Sequence, residues 1–361
     1  MKLTGGASLA AWVYLVLARG GFWRIHEEPP PSFRPAPKRV VAIIPARDEE
    51  AVIAKAVSSL LRQDFSGQLD VIVVDDQSSD ATVTIARQAG ALVITAPPPP
   101  PGWTGKLWAV SEGLKWARQF NPEYLLFTDA DIVHSPENLR TLVARAESDG
   151  LDLVSFMAKL HCRSLAERAL IPAFVYFFFQ LYPPRWIASP RRSTAGAAGG
   201  CMLIRPAAVE KIGGIEAMRG ELIDDCALAR RVKHSGGTIW LGVSESVNSV
   251  REYRTFGEIF HMISRTAFNQ LQHSALWLVA TIAAMTIVYI APPLLPRAGL
   301  AAWFLMTISY VPVLRLYRQP LVWAPLLPLI AIFYMAATID SAVRYWSGTG
   351  GVWKGRVQDA A

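Results

Sequence analysis

Acidic side chains cluster at three points of the sequence, each directly after a short apolar run. The clusters are Asp48-Glu49, Asp75-Asp76 with Asp80, and Asp129 with Asp131. Helix capping accounts for Asp48 and Asp80, because each helix start uses one such side chain. It does not explain the four carboxylates at two of the strand ends, Asp75 and Asp76 and then Asp129 and Asp131. Converging like charges are costly unless a cation or hydrogen-bond donors compensate them. Asp-x-Asp after a strand presents oxygens to Mg²⁺ or Mn²⁺, hard ions that favour carboxylate and diphosphate oxygens, so we predict a divalent-cation site at Asp129 and Asp131.

Alternating strands and helices must position these clusters. The sequence predicts strands at 40–45, 71–74, 92–95, 124–128 and 151–157, and helices at 48–63, 80–89, 106–119 and 136–148. This alternation indicates an α/β fold, with right-handed βαβ units and a mainly parallel sheet flanked by helices. In such sheets ligands bind beyond the carboxyl ends of the strands, which is where the acidic clusters fall.

The composition of the chain indicates membrane-associated segments. The chain is 52% apolar and only 18% charged, whereas an ordinary soluble domain carries about 25% charged residues. Uncharged stretches at 274–296, 298–314 and 319–339 are each near the ~20 residues that cross a bilayer, so we favour transmembrane helices over a buried helical subdomain. The apolar segment 3–18 precedes Arg19 and Arg24 without an evident cleavage site, which indicates a retained anchor or an interfacial helix.

These features divide the chain into five predicted regions. They are an N-terminal membrane anchor at 1–24, a Pro-rich linker at 25–37, an α/β domain at 38–272, transmembrane helices at 273–345 and a tail at 346–361. An uncharged aromatic stretch at 169–184 places the segment 169–187 either in a core helix or in a helix at the bilayer interface. The net charge of +7 is not arranged as a basic stripe with a binding motif, so we expect no nucleic-acid partner.

The ordered motifs over about 40–270 resemble those of family 2 glycosyltransferases, which have the GT-A fold. Residues 45–49 match Pro-x-x-Asn-Glu with Asp48 for Asn, 75–80 match Asp-Asp-x-Ser-x-Asp, and 129–131 match the metal-binding Asp-x-Asp. Gly213-Gly214 fits the Gly-Gly after the acceptor-side strand, and Asp224-Asp225 stands where the family has Glu-Asp. The usual Gln-x-x-Arg-Trp is replaced by residues 265–271, which argues against processive polymer synthesis.

The resemblance implies a role for each matched residue of an inverting, hexosyltransferase-like enzyme. Pro45, Glu49, Asp76 and Asp129 would bind the nucleotide-sugar donor, with a UDP-sugar favoured. Asp131, helped by Asp129, would hold Mg²⁺ or Mn²⁺ on the diphosphate, where the ion acts as Lewis acid and template. Asp225 would be the catalytic base that takes the proton from an acceptor hydroxyl.

Further residues are candidates from their positions. Lys106 begins a helix, where it either places a cation near the donor phosphates or remains a solvated surface lysine. The glycines at 196–200 precede a strand, so the dinucleotide-binding pattern fails, and a tight turn at Gly199-Gly200 near the acceptor is expected. Asp224, Arg265 and Gln270 complete the predicted acceptor side, and His134 is expected to be a surface residue.

Three segments sharpen the resemblance toward the hopanoid-biosynthesis-associated branch of the family. They are Arg-Gly-Gly-Phe-Trp-Arg at 19–24, Gly-Trp-Thr-Gly-Lys-Leu-Trp at 102–108 and the trailing apolar stretches. This implies a multi-pass protein of a bacterial-type inner (cytoplasmic) membrane that glycosylates a lipid hydroxyl, with the catalytic domain in the cytoplasm. Arg19 and Arg24 agree with that orientation. Transfer to polyprenyl phosphate and a catalytically idle lipid-binding scaffold remain alternatives.

Overall fold

The computed structural model describes residues 2–33, 35–221, 224–350, 352–353 and 356–357, so the predicted tail at 346–361 lies partly outside them. The chain forms two compact units, neither of which is continuous in sequence. The α/β unit comprises Glu27–Leu160 and Trp186–Arg251, and the helical unit comprises Met1–His26, His161–Arg185 and Glu252–Ala361.

An eight-stranded sheet runs through the described part of the α/β unit. Its strands are β1 (Arg39–Ala46), β2 (Gln68–Asp75), β3 (Leu92–Thr95), β4 (Tyr124–Phe127), β5 (Ile132–His134), β6 (Leu153–Lys159), β7 (Met202–Ile204) and β8 (Ile239–Ser249). They lie in the order β3-β2-β1-β4-β7-β6-β8-β5. The pairings β1–β2, β1–β4, β2–β3 and β6–β8 are parallel, and β7 and β5 pair antiparallel to their neighbours.

Helices cover this sheet, which confirms the predicted α/β fold. They are α2 (Ile53–Leu61), α3 (Thr82–Gln88), α4 (Gly105–Ala117), α5 (Asn138–Ser148), α8 (Pro206–Lys211) and α9 (Asp224–His234). The β1 residues at 40–44 are fully buried, as expected for a parallel strand with both faces covered. Gly213 and Gly214 stop α8 with positive φ angles of 88° and 78°, which glycine adopts without steric cost.

The register of the sheet gathers the acidic clusters. In parallel pairing, Ala46 of β1 lies beside Asp75 of β2, and Ile43 lies beside Phe127 of β4. The three segments that follow these strands therefore emerge at one edge of the sheet, as the sequence predicts.

The helical unit consists mainly of apolar helices. They are α1 (Lys2–Leu17), α6 (Leu165–Leu181), α10 (Phe256–Ser264), α11 (Ala275–Met285), α12 (Ala298–Leu316) and α13 (Leu327–Trp346), with a short α7 (Pro184–Ile187) at the change of unit and a terminal pair of strands, β9 (Val352–Trp353) and β10 (Arg356–Val357). Of the helices described, α12 and α13 are long and apolar enough to cross a membrane. The pair Phe256–Leu271 and Ala275–Ile290 is bent by 115° and adds a third crossing if its two arms act as one span.

Proline shifts two of the predicted apolar segments. The helix expected at 319–339 begins only at Leu327, because Pro320 and Pro325 have no amide hydrogen to donate within a helix, whereas Pro328 is tolerated in a first helical turn. The segment expected at 274–296 is α11, then a π-helix at Thr286–Ile290 and a 3₁₀ turn at Pro292–Leu294.

The predicted aromatic segment belongs to the helical unit up to Arg185 and contributes to the core of that unit. Within α6, Tyr176 and Phe179 are fully buried. The Tyr176 hydroxyl lies 2.6 Å from Ser309 Oγ of α12, and Tyr334 of α13 donates to the carbonyl of Leu170. These hydrogen bonds fix α6 against two later helices.

The N-terminal helix docks on the π-helix. Ser8 Oγ donates to the carbonyl of Ile287 at 2.7 Å, and Trp12 Nε1 donates to the carbonyl of Val288 at 2.6 Å. A π-helix interrupts the regular i to i−4 hydrogen bonding, and α1 supplies donors at that interruption. The segment predicted as an anchor is therefore an integral part of the helical unit.

Candidate active site

Lys106 joins carboxylates from two distant parts of the sequence. It occupies the first turn of α4, whose start is capped by Thr104 Oγ1 accepting from the Leu107 amide. Its Nζ lies 2.9 Å from Asp129 Oδ1 and 3.1 Å from Asp224 Oδ2. Burial lowers the pKa of Lys106, but Asp129 and Asp224 outweigh burial and raise that pKa above its usual value. Lys106 is thus a fixed cation between the predicted donor and acceptor sides.

Asp225 lies beside this bridge in the first turn of α9. Its Oδ2 accepts the Gly199 amide at 2.8 Å and its Oδ1 accepts the Cys226 amide at 2.6 Å. Burial and the neighbouring Asp224 raise the pKa of Asp225 to about 6, although Lys106 and the two amides act in the opposite direction. A carboxylate with this pKa is ionised at neutral pH and is a stronger base than an ordinary Asp.

Arg251 connects the other two predicted carboxylates. It lies two residues beyond the end of β8, and its Nη2 donates to Glu49 Oε1 and Oε2 at 2.7 and 2.9 Å. Its Nε donates to Asp131 Oδ2 at 3.1 Å, and Ser249 Oγ donates to the same oxygen at 2.9 Å. The side chains of Glu49 and Asp131 are only 9% and 13% exposed, so this arginine supplies the compensating charge that two sheltered carboxylates require.

Hydrogen bonds connect the loop after β1 to the loop after β2. Asp48, with a positive φ of 49°, accepts the Ser79 amide at 2.7 Å and donates its own amide to Ser78 Oγ. Asp76 is buried, and Arg47 Nη1 donates to its carbonyl at 2.6 Å. Asp48 therefore has a positioning role between the two loops, which an acceptor oxygen fulfils whether the residue is Asp or Asn.

The Asp129–Asp131 segment fits a divalent ion shared with a diphosphate better than an ion held by protein alone. Among the described residues no group of three or more His, Cys, Asp or Glu side chains is placed to hold a metal. Mg²⁺ at nucleotide sites typically takes only one or two carboxylates, with phosphate oxygens and waters completing its shell. Asp129 and Asp131 offer two hard oxygen ligands of that kind.

One small cleft in the α/β unit brings five of the predicted residues together. Pro45, Lys106, Asp129, Gly199 and Asp224 line it. A Cβ built on Gly199 would lie 3.4 Å from both Asp225 Oδ2 and Lys106 Nζ, so glycine leaves this point of the cleft open. The next residue, Gly200, belongs to the same turn, and its carbonyl accepts from Thr128 Oγ1.

Arg265 and Gln270 belong to the helical unit. Arg265 follows α10, and Gln270 lies in a 3₁₀ turn at Asn269–Leu271, where its Oε1 accepts from Tyr182 Oη at 2.7 Å. Their assignment to the acceptor side stays a prediction.

His134 differs from its expected surface position. It lies in β5, is 3% exposed, and its two ring nitrogens lie 2.9 Å from Thr128 Oγ1 and from Asn138 Nδ2. Burial lowers the pKa of His134 to about 4, so it is a neutral core residue. It was misplaced because β5 is only three residues long.

Arg251 was missed by sequence reasoning. It matches no motif, and a lone basic residue after a strand is common, so its role emerges only when β8 brings it beside Glu49 and Asp131.

Comparison with known proteins identifies a matching family and several relatives of the chain. The family described as glycosyltransferase like family 2 matches residues 37–269. A 4,4'-diaponeurosporenoate glycosyltransferase of Staphylococcus haemolyticus is 36% identical over 118 residues, 31% of this chain and 30% of that protein. An uncharacterized protein of Methanocaldococcus jannaschii is 28% identical over 114 residues, 32% of this chain and 44% of that protein. The chain thus matches less than half the length of these two curated relatives.

A solved structure extends the likeness to the fold of nearly the whole chain. A mannosyltransferase from Pyrobaculum calidifontis, solved in complex with GDP-Man and Mn²⁺, has a TM-score of 0.55 over 98% of this chain and 100% of its own, at 17% identity. Because the family match covers more than half of the chain, the protein belongs to glycosyltransferase like family 2.

Proposed function

We propose that the protein is a membrane-bound inverting glycosyltransferase that moves a sugar from a nucleotide-sugar donor to a lipid hydroxyl. The observation that carries this proposal is the Lys106 bridge. It brings Asp129, on the predicted donor side, and Asp224, next to the predicted base Asp225, within about 3 Å of one ammonium group.

The donor would lie beyond the carboxyl ends of β1, β2 and β4. Glu49 and Asp76 are the carboxylates assigned to the nucleoside, and Pro45 lines the adjoining cleft. Asp131 and Asp129 would hold the divalent ion, which, when bound, supplies Lewis-acid stabilisation of the departing diphosphate. Lys106, whose Nζ lies 2.9 Å from Asp129 Oδ1, would add a protein cation to this diphosphate site.

The acceptor step depends on Asp225. Two backbone amides fix its carboxylate, so its orientation is set before an acceptor arrives. It takes the proton of the acceptor hydroxyl while that oxygen attacks the anomeric carbon from the face opposite the leaving diphosphate. One displacement of this kind inverts the anomeric centre.

A hydroxyl acceptor fits this site better than the alternatives. The oxygen of a polyprenyl phosphate is already anionic and needs no base, whereas Asp225 has a pKa raised to about 6 by burial and by Asp224. A catalytically idle scaffold would have no use for a sheltered carboxylate beside a second one, because that arrangement costs folding free energy.

The lipid nature of the acceptor is supported by the helical unit and by one relative. Helices α12 and α13 have the length and composition of membrane spans, and the staphylococcal relative is named for glycosylation of 4,4'-diaponeurosporenoate. With the sequence resemblance, these observations favour hopanoid glycolipid biosynthesis at a bacterial-type cytoplasmic membrane.

Nucleoside diphosphate release by the purified full-length protein in detergent tests the proposal. We expect release from a UDP-sugar or a GDP-sugar with Mn²⁺ or Mg²⁺, and only in the presence of a hydroxylated polycyclic lipid. Release that instead requires polyprenyl phosphate would transfer the function to that acceptor. Failure of the protein to bind or turn over any donor would refute the enzyme assignment. Comparing lipid extracts of a deletion strain and its parent by mass spectrometry would then identify the product.

A further inference from the structure

Arg251 holds two carboxylates that the proposed function assigns to different parts of the donor. Its Nη2 spans both oxygens of Glu49, on the nucleoside side, while its Nε contacts Asp131, on the metal side. The Arg251 side chain is 36% exposed, whereas the side chains of Glu49 and Asp131 are 9% and 13% exposed. One cation therefore neutralises both ends of the predicted donor site.

The same contact places Arg251 in competition with a divalent ion. Asp131 Oδ2 already accepts from Arg251 Nε and from Ser249 Oγ, so an ion that uses this oxygen must displace the guanidinium from it. Two cations on one carboxylate also repel each other. A donor diphosphate removes this conflict, because its oxygens attract both the ion and a guanidinium that forms paired hydrogen bonds.

We propose that Arg251 is a positioning residue that acts as a placeholder cation. It neutralises Asp131 and Glu49 in the donor-free protein, weakens binding of the metal alone, and moves from Asp131 to the donor diphosphate when metal and donor bind together. This inference rests on the proposed function. Its consequence is cooperative binding. The metal raises the affinity for the nucleoside diphosphate, and the nucleoside diphosphate raises the affinity for the metal, because coupling between two ligands is reciprocal.

Free Mn²⁺, measured by electron paramagnetic resonance, reports this coupling without any turnover. The full-length protein in detergent is titrated with Mn²⁺ alone and then with Mn²⁺ plus UDP or GDP. We expect Arg251→Gln to bind Mn²⁺ alone about 10-fold more tightly than the wild type, and to gain less affinity from the nucleotide. Arg251→Lys keeps the charge and should remain near the wild-type affinity for Mn²⁺ alone.

Two further variants distinguish a specific effect on Mn²⁺ binding from a general folding defect. Arg251→Gln with Glu49→Gln removes the ion pair together and should show the same tighter binding of Mn²⁺ alone. Arg140→Gln is the matched control, because Arg140 pairs with the exposed Asp64, and it should bind Mn²⁺ as the wild type does.

The possible outcomes separate the two claims. Wild-type binding of Mn²⁺ with nucleotide, but unchanged or weaker binding of Mn²⁺ alone in both Arg251→Gln proteins, would overturn the placeholder and leave the donor site intact. A wild-type protein that binds no Mn²⁺ with either nucleotide would overturn both the placeholder and the metal-assisted donor site.

Discussion

The two amide hydrogen bonds to Asp225 distinguish it from Asp224, which faces Lys106. We expect Asp225→Asn to retain donor binding and to lose about 100-fold to 10,000-fold in turnover, the usual contribution of a positioned general base. Nucleoside diphosphate release gives the turnover and a nucleotide titration gives the binding. If Asp225→Asn remains active while Asp224→Asn has lost its activity, the base is Asp224 and the assignment of the base to Asp225 is wrong by one residue.

The raised pKa of Asp225 predicts the acid limb of the pH profile. The base acts when ionised, so kcat/KM should be flat above about pH 6 and fall about tenfold per pH unit below it. Lys106→Met removes a cation that lowers the pKa of Asp225, so the limb should move to higher pH. Lys115→Met on the same helix, whose partner is Glu112, should leave the limb in place. A limb that does not move in Lys106→Met would show that another group titrates.

At the scale of elements, Glu167 ties the start of α6 to the chain around it. Its carboxylate accepts the amides of Arg163, Ser164 and Tyr253 and lies 2.8 Å from His161 Nδ1. Burial raises the pKa of Glu167, but these hydrogen bonds outweigh it and lower the pKa to about 2. Glu167→Gln should lower the free energy of unfolding by about 2 to 3 kcal/mol at neutral pH, because Gln has one acceptor oxygen where Glu has two, so part of these part-buried hydrogen bonds are lost.

The pH dependence of this loss follows from the lowered pKa. The stabilisation by Glu167 is complete above its ordinary pKa of 4.5 and disappears as the pH falls toward about 2. Thermal unfolding in detergent should therefore show a large difference in Tm between wild type and Glu167→Gln at pH 7, and a smaller one at pH 3. Glu258→Gln is the control, since Glu258 is exposed in the first turn of α10. An equal difference at both pH values would contradict the charge-based explanation.

Sequence patterns predicted the elements that form continuous apolar runs or show a regular apolar period. Strands β1, β2 and β4 were found because they are continuous apolar runs, and the residues after them were found because carboxylates at strand ends are unusual. The patterns failed for β5, where three residues show no period, and for the start of α13, which prolines move to Leu327. They could not give Arg251, because an ion pair between residues 202 positions apart depends on the completed sheet.

At the scale of the whole molecule, the apolar helices predict a topology. With the bent pair counted as one span, the chain would leave the cytoplasm through it, return through α12 and leave again through α13. A cysteine at Arg297 should then react with an impermeant thiol reagent from outside, and one at Arg318 only from inside, in agreement with the preference for basic residues in the cytoplasm. The reverse labelling would mean that only α12 and α13 cross.

The discontinuous helical unit also has a consequence for how the protein is made. Helix α6 leaves the ribosome about 10 to 30 s before α13 at a synthesis rate of about 5–20 residues per second. Phe22 is already present to contact Tyr176, but Ser309 and Tyr334, which fix α6, are still untranslated. During that interval the aromatic helix needs shelter from a chaperone or from the membrane surface, and a fragment that ends before α12 would keep that need permanently.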